Sequence, residues 1–226
     1  MSDTCATCNG NCCYNVIVRI MGYDAWRIKR AQALDFSQFV AAEPEADPKS
    51  DAFRIGDAHY ALFLAKNPAV PTACTFLMLF PDEICRCGIY AERPRVCSVY
   101  PMTLRFGAVD LRSDVVCKAS NWDMATLSYP KWRRALLEHN LESVAYFRVA
   151  QHWNHAAPAD ATLADYYGYV ERCFDRIDAL RSDLGDDFED LILHWQDASP
   201  ENDDITRRTA FEREIELACS AALAKA

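Results

Sequence analysis

Near the start of the chain, Cys5-Ala-Thr-Cys8-Asn-Gly-Asn-Cys12-Cys13 places four thiols within nine residues, among small and polar neighbours that cannot build a core. Cys74, Cys85, Cys87, Cys97 and Cys117 follow, and after them only Cys173 and Cys219 remain. Eleven is an odd number, so these cysteines cannot all pair within one chain. Met1-Ser-Asp-Thr has neither the basic nor the apolar region of a secretory signal, and the longest apolar run, Cys74 to Phe80, is too short to span a membrane. The expected location is therefore the cytoplasm, where thiols stay reduced and a disulfide framework is disfavoured. Reduced, clustered and unevenly distributed thiols point to metal.

The spacings support that reading. A Cys-x-x-Cys turn, as at Cys5 and Cys8, lets two thiolates reach one ion while nearby amides bond the sulfurs. Cys12 and Cys13 are adjacent, and their side chains are expected to diverge toward two ions or two edges of a cluster. Cys85-Arg-Cys87 can approach an ion from a turn, whereas Cys74, Cys97 and Cys117 must be delivered by the fold. Cys8 and Cys12 have the first radical-SAM spacing, but position 15 is Asn15, and the ferredoxin cysteine run is absent.

Three blocks carry a resemblance: Cys5-x2-Cys8-x3-Cys12-Cys13, then Cys74-x-Phe76-Leu77, then Cys87-x-Ile89-Tyr90-x-x-Arg93-Pro94-x-x-Cys97-x-x-Tyr100-Pro101. Together they resemble the YkgJ-type cysteine-cluster proteins, a family described as zinc- or iron-chelating and often labelled iron–sulfur oxidoreductases. The resemblance spans roughly the first half of the chain. It implies Cys5, Cys8, Cys12, Cys13, Cys74, Cys87, Cys97 and Cys117 as metal ligands, with the least motif around Cys117 and no counterpart for Cys85. Eight thiolates suit two four-sulfur sites, or one cluster and a looser site, and spacing does not separate an Fe–S cluster from Zn. Arg86, Arg93, Arg95 and Lys118 are candidates to offset the negative charge of such a centre.

Hydrophobic periodicity gives the frame. Val16–Ile20 reads as a strand, Ala25–Leu34 as a helix capped by Asp24, and Ser37–Ala42 as a second short helix. Residues 43–52 have loop composition. Phe53–Ile55 and Tyr60–Leu64 around Gly56-Asp57 form a hairpin, Cys74–Leu79 a strand, and Phe80–Pro101 an irregular stretch whose prolines deliver Cys97. Leu104–Phe106 and Val109–Arg112 around Gly107 make another hairpin. Helical patterns then cover Tyr129–Asn154, Thr162–Leu184, Phe188–Trp195 and Ile205–Ala224. The expected fold is α+β: an irregular cysteine-rich metal-binding domain of short strands and helices over residues 1–124, then an α-helical region over 125–226 packed on it.

Other features narrow the function. A net charge of -9 argues against nucleic acid and anionic lipid as partners. With 7 glycines and no Gly-rich loop, a nucleotide cradle is not in evidence, and no Ser-His-Asp motif is visible. Cys173 and Cys219 stand alone in helical patterns and read as core residues. His152 and His155, and the aromatics Trp153, Tyr166, Tyr167, Tyr169 and Trp195, read as packing or surface positions. Three functions remain: a redox protein of the iron–sulfur oxidoreductase type, a structural zinc module whose helical half binds a protein partner, or a metal-handling protein whose site stores or passes on an ion.

Overall fold

The computed structural model describes residues 10–46, 48, 51–81, 85–116, 122, 129–184 and 204–224. The fold is α+β. Short helices α1 (Asn11–Asn15), α2 (Gly22–Gln32) and α3 (Phe36–Phe39) lead into β1 (Val40–Pro44), β2 (Phe53–Ile55) and β3 (Ala58–Leu64), an antiparallel sheet in the order β1-β3-β2. Three two-stranded units follow: β4 (Lys66–Asn67) with β5 (Val70–Cys74), β6 (Leu77–Leu79) with β7 (Cys85–Cys87), and β8 (Met102–Arg105) with β9 (Ala108–Leu111). A 3-10 turn at Tyr90–Glu92 and α4 (Arg95–Val99) lie between β7 and β8. The second half is helical: α5 (Tyr129–Ala156), α6 (Leu163–Leu184) and α7 (Asp204–Leu223).

Both expected hairpins form around their glycines, with Gly56 and Gly107 in the left-handed region. Elsewhere tertiary contacts shift the boundaries. Val16–Ile20 is no full strand; Ile20 N–H donates to Leu62 O and Leu64 N–H to Val18 O, extending the β2 edge of the sheet. Residues 40–44, read partly as helix and partly as loop, pair with β3 in the register Val40↔Leu64 to Pro44↔Tyr60. The expected strand Cys74–Leu79 breaks at Thr75-Phe76, and the stretch read as irregular contains β7 and α4. The expected helix Phe188–Trp195 lies outside the described residues.

One core joins both halves of the sequence. The buried positions of α6 (Tyr166, Tyr169, Val170, Cys173, Phe174 and Ile177) recur at helical spacing on one face. Phe53 of β2 stacks on Tyr166 with ring centroids 3.7 Å apart, and Tyr23 and Trp26 of α2 meet Phe174. Polar groups that follow these rings into the interior find partners: Trp26 Nε1 donates to Asp175 (2.9 Å), and the Tyr146 and Tyr166 hydroxyls share a hydrogen bond (2.9 Å). At the outer edge of β2, Asn154 Oδ1 accepts from Arg54 N–H, Asn154 Nδ2 donates to Ala52 O, and Trp153 Nε1 donates to Arg54 O. A smaller cluster of Val99, Met102, Val109, Trp122, Trp132 and Leu136 seats the β8–β9 hairpin on the start of α5.

Gly22, the first residue of α2, lies tight against α5 and α6. A Cβ there lies 2.6 Å from Tyr146 Cε2 and 3.0 Å from Val170 Cγ1. The Tyr146 ring is fully buried and tied to Tyr166, so it cannot yield cheaply. Gly22→Ala is expected to cost about 1–3 kcal/mol through overpacking. Urea unfolding measures it, and an unchanged midpoint shows that α2 does not approach α5 this closely.

Candidate metal centre

Six of the sequence-identified thiols are described: Cys12 and Cys13 on α1, Cys74 at the end of β5, Cys85 and Cys87 on β7, and Cys97 on α4. Cys5, Cys8 and Cys117 lie outside the described residues. Each element is short and set by its surroundings. Gly10, ahead of α1, has φ 76, and a Cβ there falls 2.8 Å from Cys85 Cβ; only glycine suits both the backbone and the space. α4 begins after Pro94, and Asp24 of α2 accepts the Arg95 N–H at 2.8 Å.

These elements bring five thiols together. Cys12 stands within electrostatic reach of Cys13, Cys74, Cys87 and Cys97. The Cys12 and Cys13 sulfurs are 4.0 Å apart, so the neighbouring side chains do not diverge as expected. That separation is near the roughly 3.8 Å edge of a tetrahedron built on Zn–S bonds of about 2.3 Å. Among the described residues, no three Cys, His, Asp or Glu side chains close tightly enough to hold an ion as they stand. Cys85 occupies a different position, packing on Gly10 and hydrogen-bonded to the Tyr14 hydroxyl.

Two of the thiols share one local form. The Phe76 amide bonds the Cys74 sulfur and the Ile89 amide bonds the Cys87 sulfur, each two residues further on. The turn at Thr75-Phe76 that ends β5 is what aims the first amide, and Gly88 N–H to Phe76 O (2.8 Å) ties the two turns together. Both hydrogen bonds favour the thiolate, but burial outweighs them and holds both thiols above their usual value. Burial likewise pushes Cys97 up, helped by the negative charge of Asp24. The hydrogen bond with Cys12, then burial, raises Cys13. A set of mutually hindering thiols with inward amides fits a cation bound among them, because the cation favours every thiolate at once.

The charged surroundings differ from the sequence reading. Arg93 lies near Cys87, stacked 3.9 Å from the Tyr90 ring centroid, as a charge-offsetting role requires. Arg95 instead joins Glu142, which also meets Arg181, and Arg86 donates to Cys85 O. Lys118 lies outside the described residues. Lys66, which sequence reasoning missed, acts on Cys74 while donating to Val16 O and Thr72 O. Asp24 was missed too, since its partner is 71 residues away and no local pattern announces it. His152 contacts Ser220 and Tyr169, and His155 contacts Gln151 O.

An α+β chain with reduced thiols gathered where four short elements meet falls in the class of cysteine-cluster proteins. Residues 4–122 match the model of the CxxCxxCC family, described as "Putative zinc- or iron-chelating domain", and the chain belongs to that family. No curated protein and no solved structure matches the chain. Among the described residues, no helix is long and apolar enough to cross a membrane.

Behind α4, burial raises the Glu142 carboxyl to about 7, despite Arg95 and Arg181 beside it. Folded protein thus keeps a proton that the unfolded chain releases near 4.5, so this group favours folding less as pH rises from 4.5 to 7. Glu142→Gln is expected to remove that slope. Urea unfolding at pH 5 and pH 7.5 should show wild type losing about 2 kcal/mol more than the variant across the interval. Equal losses show that Glu142 ionises normally.

Proposed function

We propose that the chain holds iron or zinc in a thiolate centre formed by Cys5, Cys8, Cys12, Cys13, Cys74, Cys87, Cys97 and Cys117. The paired turns at Cys74 and Cys87 carry this reading, because each aims a backbone amide at its sulfur and both thiols lie within electrostatic reach of Cys12 and Cys97. Thiolate is the form in which cysteine binds metal, and those amides stabilise it. Eight thiolates around two divalent ions leave a charge of about −4, of which Arg93 and Lys66 stand close enough to offset a part. Asp24 holds the start of α4 and so fixes the direction from which Cys97 enters.

With iron, the centre supplies one-electron chemistry of the oxidoreductase kind. The residues around it then set its electrostatics: Arg93 and Lys66 add positive charge, whereas Asp24 beside Cys97 opposes it. A structural zinc module is the second reading, with the helical half binding a protein partner. It is favoured by the brevity of α1, β5, β7 and α4, none longer than five residues, which a common ion would knit together.

Anaerobic purification followed by elemental analysis and a visible spectrum separates these readings. Brown protein with matching iron and acid-labile sulfide supports the redox centre; colourless protein with stoichiometric zinc removes it. Protein that carries neither metal, and takes up neither, overturns both. Cys8→Ser and Cys97→Ser are each expected to lower metal content and soluble yield, while Cys173→Ala leaves metal content unchanged. A Cys97→Ser variant that is folded and fully metallated excludes Cys97 as a ligand.

A further inference from the structure

The two cysteines of the helical half, isolated in sequence, meet in space. Cys173 of α6 donates to Cys219 of α7 with the sulfurs 3.8 Å apart, and both side chains are fully buried. Ala218 and Ala222 flank Cys219 on the buried face of α7, and such small residues let two helices approach closely. Arg172 Nε, beside Cys173, donates to Ala222 O at 3.0 Å and fixes the register of the pair. A disulfide needs sulfurs about 2.05 Å apart, so side-chain rotation with a small helix shift closes the remaining gap.

We propose that Cys173 and Cys219 form a thiol–disulfide switch, oxidised by a low-molecular-weight disulfide, that joins α7 covalently to α6. While the helices are packed, both sulfurs are buried and held against each other. When α7 lifts from α6, either cysteine, once ionised, attacks the small disulfide, forming a mixed disulfide and expelling one thiol. The other cysteine then attacks the protein sulfur of that mixed disulfide and expels the second. The balance is two protein thiols and one small disulfide giving one protein disulfide and two small thiols; the protein loses two electrons and two protons. The bond links residues 46 positions apart and restricts the unfolded chain, so it stabilises the folded protein. Because an ion among the front-half thiols plays no part in these steps, the switch is independent of the proposed metal centre.

Trypsin leaves the two cysteines on separate peptides, residues 173–176 and 214–225. The full-length protein is incubated with oxidised glutathione in its native state. A second sample is unfolded and refolded in the same buffer, which removes access as a barrier. The expected result in either arm is a 173–176/214–225 linked peptide lighter by two hydrogens than the sum of its parts. A rise in Tm accompanies it, and dithiothreitol reverses both. Cys219→Ser should abolish the link and the rise. The proposal is overturned if Cys173 and Cys219 remain open to alkylation in both arms, or if they pair with other cysteines and not with each other.

Discussion

Ionising one thiol in a half-buried space is unfavourable, and ionising several side by side is worse, because each charge opposes the next. Cys12, Cys13, Cys74, Cys87 and Cys97 are in that situation: burial raises Cys74 and Cys87 against the amides that favour their thiolates, burial raises Cys97, and the hydrogen bond with Cys12 followed by burial raises Cys13. The chain nonetheless spends α1, the end of β5, β7 and α4 on holding these sulfurs together. A cation among them reverses the sign of the problem, turning mutual repulsion into shared attraction. The arrangement of the front half is intelligible in those terms.

What keeps these short elements in place is α2 together with the helical half. Arg95 reaches from α4 to Glu142 of α5, Asp24 reaches from α2 to the start of α4, and Gly22 lets α2 lie against Tyr146. The aromatic set Phe53, Tyr146, Trp153, Tyr166 and Tyr169 then binds sheet and helices into one interior. Side chains distant in sequence thus determine where Cys97 sits, although none of them is a thiol.

Legibility followed the range of the interactions. Helices α5, α6 and α7 repeat apolar residues at helical spacing, and the two glycine hairpins are specified within a dozen residues, so both were readable. Spacing and likeness to a known family single out the cysteines, and five of them, Cys12, Cys13, Cys74, Cys87 and Cys97, lie within electrostatic reach of one another. The break at Thr75-Phe76 was not readable, because a β-rich run looks continuous until the Phe76 amide turns toward Cys74. Asp24 looked like a cap for its own helix; it sits in the first turn of α2 and serves α4 instead. Cys173 and Cys219 looked solitary because only the packing of α6 on α7 makes them neighbours.

Strands at the margin of a sheet present backbone groups that any passing chain can copy. Here the indole of Trp153 and the carboxamide of Asn154 occupy the outward groups of Ala52 and Arg54, residue by residue, as a neighbouring strand would. That margin of the sheet is therefore closed to recruitment of a second molecule once α5 has docked, and it stays open only as long as α5 is late to arrive.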